Sequence, residues 1–67
     1  MNLPIGQLIK IIIDDTREPL LAVITKDLGS GTYELTRSTG NKIIKDVITY
    51  EEFVYNFSSG HFKLVLD

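Results

Sequence analysis

The sequence predicts a small, mainly β domain: a five-stranded antiparallel barrel with one short helix before the last strand. Three observations carry this prediction. Five short apolar segments are fitted into 67 residues. Apolar and polar side chains alternate, most cleanly over residues 32–37, with the period of a half-buried strand. At Thr49 the period switches to that of a helix, and beyond Gly60 it switches back. The resulting order is β-β-β-β-α-β, and short strands joined by tight turns favour antiparallel pairing in one domain, residues 1–67.

Residues 1–4 form a lead-in, and Ile5-Gly6 an entry turn. The first strand is expected over residues 7–14, with Ile9, Ile11 and Ile13 on one face and Leu8, Lys10 and Ile12 on the other. The β-branched run at Ile11, Ile12 and Ile13 favours strand over helix. Asp14, Asp15, Thr16, Arg17 and Glu18 make a polar loop, and Pro19 stops pairing. The second strand covers residues 20–25. Residues 26–31, with Asp27-Leu28-Gly29-Ser30-Gly31, read as a flexible turn. The third strand, residues 32–37, points Tyr33 and Leu35 inward. Ser38-Thr39-Gly40-Asn41 is a hairpin signal leading into the fourth strand, residues 42–48.

Thr49 and Glu52 have the spacing of a capping box. Tyr50, Phe53, Val54 and Phe57 then fall on one helical stripe, of which Tyr50, Phe53 and Phe57 are assigned to the core. Gly60 suits the left-handed position just past a helix end. A helix of about two turns is not stable alone and must pack on the sheet. Residues 61–66 form the fifth strand, with Phe62, Leu64 and Leu66 on one side and His61, Lys63 and Val65 on the other.

This arrangement resembles the Src-homology-3-like barrels common among small phage and prophage proteins. The residues that carry the resemblance are Ile5-Gly6-Gln7-Leu8-Ile9 at the first strand, Leu21-Ala22-Val23-Ile24, Thr32-Tyr33-Glu34-Leu35, and Thr49-Tyr50-Glu51-Glu52-Phe53 before the last strand. The resemblance implies a strongly bent sheet with the helix plugging one end, and a phage or prophage accessory protein acting on a host factor. The acidic loop and aromatic cluster with which some such barrels dock proline-rich peptides are not evident here. Proline-peptide recognition is therefore not expected.

Composition narrows the chemistry. No cysteine is present and there is one histidine, so neither a disulfide nor a thiolate zinc site is available. No cofactor is expected. Seven basic residues face nine acidic ones, and each half of the chain carries one more acidic residue than basic. This balance disfavours a polycationic nucleic-acid arm. The N-terminus lacks a basic leader, and the apolar run at residues 8–13 is too short to span a bilayer, so a cytoplasmic protein without membrane contact is expected.

Candidate sites are few. Asp14, Asp15 and Glu18 lack the spacing and glycine of a calcium loop and read as a solvated loop. His61 has no constellation of nucleophile and orienting group, so no catalytic residue is assigned and an enzyme is not expected. The expected function is non-catalytic binding of a protein partner. Its surface is the helix flank at Glu51 and Tyr55 with the loop at Lys26 and Leu28. Tyr55 lies off the apolar stripe and is a candidate anchor. The alternative is a nucleic-acid-binding barrel using Arg37, Lys42 and Lys45 around the third hairpin. Ile12, Leu20, Ile24, Leu28 and Ile48 exceed what one face of so small a core needs, which leaves self-association open.

Overall fold

The computed structural model describes residues 3–66. Its elements are β1 (Leu8–Ile11), β2 (Leu20–Gly29), β3 (Thr32–Thr39), β4 (Lys42–Thr49), α1 (Tyr50–Ser58) and β5 (Phe62–Leu64). The five strands form one sheet in the order β4-β3-β2-β1-β5, with every neighbouring pair antiparallel. The sheet is not closed: β4 and β5 are its two edges. α1 packs against both of them.

Local chemistry sets these elements. Gly40, with φ of 58°, opens a two-residue turn between β3 and β4, a conformation that matches the twist of a hairpin. Ser30 and Gly31, with φ of 54° and 76°, do the same between β2 and β3. The expected capping box is formed. The Glu52 N–H donates to Thr49 Oγ1 at 3.0 Å, and the Thr49 N–H donates to Glu52 Oε1 at 3.1 Å. The helix ends where the Ser59 N–H reaches the Tyr55 carbonyl, at 2.9 Å.

Every strand and the helix contribute to one core. It comprises Ile9, Ile24, Tyr33, Leu35, Ile48, Phe53 and Phe62, joined by Leu3 from the lead-in. The Leu3 N–H donates to the Tyr33 hydroxyl at 3.3 Å. In a flat sheet, strands in the positions of β4 and β5 would stand roughly 19 Å apart, four spacings of about 4.8 Å. Ile48 of β4 and Phe62 of β5 nevertheless belong to the same cluster, so the sheet curls round it. Register shifts in β2, between Ile24 and Lys26 and between Asp27 and Gly29, supply sharp local bends.

Several expectations are corrected. β1 stops at Ile11 rather than residue 14, because Ile11 pairs with Leu20 and the preceding Pro19 has no N–H to continue the ladder. Ile13 is consequently 45% exposed instead of inward. Residues 26–29 are strand, not turn, since bulges let β2 bend without breaking. β5 covers only Phe62–Leu64, and Leu66 is exposed. The helical stripe is buried less than expected. Phe53 is buried and Tyr50 half-buried, but Val54 and Phe57 remain exposed. One short helix over a narrow seam presents a single line of side chains to it. Phe57, one turn past Phe53, stacks on that ring at 6.2 Å instead of reaching the sheet.

Candidate functional site

The capping box fixes where α1 begins, and the β2–β3 turn meets it there. The Tyr50 N–H donates to the Gly31 carbonyl at 2.8 Å. Ser30, Gly31, Thr49, Tyr50 and Glu51 line an open cavity of about 310 Å³ at this junction. The turn is braced from within. Thr32 Oγ1 donates to the Gly29 carbonyl at 2.7 Å, and the Gly29 N–H donates to Asp27 Oδ1 at 2.9 Å.

From this cavity the outer flank of α1 continues through Glu51 to Tyr55, one helical turn on. Tyr55 is 70% exposed, the most open aromatic side chain among the described residues. Val54, beside it in the chain, is 41% exposed, whereas Phe57, 46% exposed, lies on the Phe53 side of the helix, about 160° round from Tyr55. Glu51 and Tyr55, four residues apart, share one flank of α1. The openness of Val54 and Phe57 was not legible in the sequence, because their spacing also fits a fully buried stripe.

Leu28 is exposed in the bulged end of β2. Lys26 pairs with Glu34 on the outer face of the sheet, and no ion pair or hydrogen bond among the described residues joins it to Glu51 or Tyr55. Glu34 is the better organised group there. Its Oε1 accepts from Thr25 Oγ1 at 2.7 Å, and that hydroxyl lies 2.8 Å from Thr36 Oγ1. The Thr25 bond holds the Glu34 carboxyl below its ordinary value of 4.5, with partial desolvation opposing and the charges of Lys26 and Lys45 assisting.

The three basic residues of the β3–β4 hairpin are divided. Arg37 alternates in phase with the inward Leu35, and Lys42 shares that phase through Ile44 and Ile48. Lys45 is out of phase and projects from the outer face. Arg37 Nε also lies 3.7 Å from Asp46 Oδ2. The arrangement is two separate charges and an ion pair, not one basic stripe.

Asp14 is occupied by its own loop. Its Oδ1 accepts from the Thr16 hydroxyl and N–H, both at 2.8 Å, and from the Arg17 N–H at 2.9 Å. The Thr16 hydroxyl bond leads in drawing the carboxyl below its ordinary 3.8. Arg17 Nε stands 3.4 Å from Oδ2, an exposed pair of small energetic weight. His61 Nδ1 lies 2.8 Å from Ser59 Oγ, which in turn donates to the Asn56 carbonyl at 3.2 Å. Ser59 Oγ, His61 Nδ1 and the Asn56 carbonyl together tie off the helix end. Among the described residues, no group of three or more His, Asp or Glu is placed to hold a metal ion. No helix among them is long and apolar enough to cross a membrane.

No protein-family profile matches this chain, and neither a curated protein nor a solved structure matches it.

Proposed function

We propose that the chain is a non-catalytic protein-binding module whose partner docks on the outer flank of α1 and the adjoining β2–β3 turn. One observation carries the reading. α1 buries a single side chain, Phe53, and leaves Tyr55 and the neighbouring Val54 open on a helix anchored at its start by a complete capping box. A tyrosine on a rigid element supplies apolar area and a polar tip with little entropy to lose, which is what an interface anchor needs.

The reading as a Src-homology-3-like barrel is supported by the strand order, in which the first and last strands pair, and by the short helix over the seam between β4 and β5. A phage or prophage origin, a host factor as partner and a cytoplasmic setting follow from that resemblance and from the composition.

The test is affinity capture with the intact chain and with Tyr55→Ala in parallel, with circular dichroism to verify the fold of both. A protein held by the intact chain and lost with the variant supports the reading. Equal capture by both removes the helix flank from it.

A further inference from the structure

β4 is an edge strand, and one side of its backbone faces no other strand. The two-residue turn makes Thr39 and Lys42 a hydrogen-bonded pair, so the even-numbered residues of β4 direct their N–H and C=O groups at β3. The Tyr50 N–H keeps this phase, reaching Gly31. Ile43, Lys45 and Val47 therefore point their backbone groups outward. Ile43 is 64% exposed and Val47 66%, and the β3–β4 register runs without a bulge. Long unbroken edges of this kind pair readily with another strand.

We propose that this edge pairs antiparallel with the same edge of a second copy, about a two-fold axis at Ile44. A two-fold axis that extends a sheet stands perpendicular to it and keeps each face on its own side. Directly opposed residues are then both odd or both even. An axis at Lys45 would set two lysines against each other and bring Gly40 of the second copy opposite Tyr50, where α1 begins. An axis at Asp46 would oppose two carboxylates and carry the hairpin tip further along the helix.

An axis at Ile44 avoids both problems. Ile44 meets Ile44 of the second copy at a non-hydrogen-bonded position, where side chains approach most closely. Lys42 opposes Asp46 of the second copy, and the reverse, so opposite charges flank an apolar centre. Asp46 meets Arg37 through Oδ2, which leaves Oδ1 for the lysine. The seam bonds run between Ile43 of one copy and Lys45 of the other, and the stem of Lys45 covers the exposed Ile43. The hairpin tip stops opposite Ile48, short of the helix. Among these three axes, charge and the position of α1 select the same register.

Sedimentation of the intact chain from micromolar to millimolar concentration tests this, with circular dichroism as the folding control. The intact chain is expected to reach twice the monomer mass. Lys42→Asp or Asp46→Lys alone weakens association by roughly tenfold, and the exchange of both in one chain restores it. Tyr55→Ala leaves it unchanged, so this proposal and the partner-binding one fail separately. A monomer at every concentration, a dimer indifferent to the single changes, or a double variant that stays dissociated overturns the proposal.

Discussion

The rings of Phe53 on α1 and Phe62 on β5 lie with centroids 5.8 Å apart, tilted by 56°. This tilted pair joins the helix to β5, one of the two edges of the sheet. Ile48 of β4 belongs to the same packed cluster, so the helix spans from one edge to the other. The fold is held as a curl by that lid.

Replacing the lid residue is therefore costly. Phe53→Ala is expected to lose about 3–5 kcal/mol, the range for truncating a buried phenylalanine. That is a large share of what so small a domain possesses. Phe57→Ala, at a site 46% exposed, is expected to cost less than half as much. Urea unfolding of the two variants checks the order, and equal losses would contradict it.

The helix is too short to form without its start signal. Thr49→Ala removes the oxygen that accepts from the Glu52 N–H. The expected cost is about 1 kcal/mol, or about 4–8 °C in melting temperature for a domain of this size. Thr49→Ser should recover most of it.

Glu34 links stability to pH. Its carboxyl titrates below 4.5 in the folded chain and at the ordinary value when unfolded. The stabilisation is thus fully present above that value and fades as pH falls through the folded one. Thr25→Val removes the leading cause and should move the Glu34 midpoint upward, read by carbon-detected NMR titration. A midpoint that does not move would assign the shift to the lysines instead.

The Leu3 N–H fastens the lead-in to β3. Tyr33→Phe deletes the hydroxyl that accepts from the Leu3 N–H. Amide exchange at Leu3 should accelerate while the β2–β3 ladder stays protected. The expected loss of stability is about 1 kcal/mol.

Much of this was legible in the sequence. Thr49 with Glu52 located the start of the helix to the residue, and Gly40-Asn41 located the third hairpin. Tyr33 and Leu35 were placed inward by alternation alone. What escaped depends on partners distant in the chain. The extension of β2 through residues 26–29 rests on bulges against β3, which no local propensity encodes. The placement of Arg37 on the face of Lys42, away from Lys45, requires the register across the turn. The openness of Phe57 and Val54 reflects how much of a helix one narrow seam can cover. Tyr55 was readable as an outward residue, since it falls between the turns of the apolar stripe.

Nuclear Overhauser contacts between the ring protons of Phe53 and Phe62 test the lid most directly. The account predicts strong cross-peaks between them, with slow amide exchange at Ile9 and Ile24. Absent cross-peaks, with the amides of residues 50–58 exchanging as fast as an unstructured chain, would contradict it.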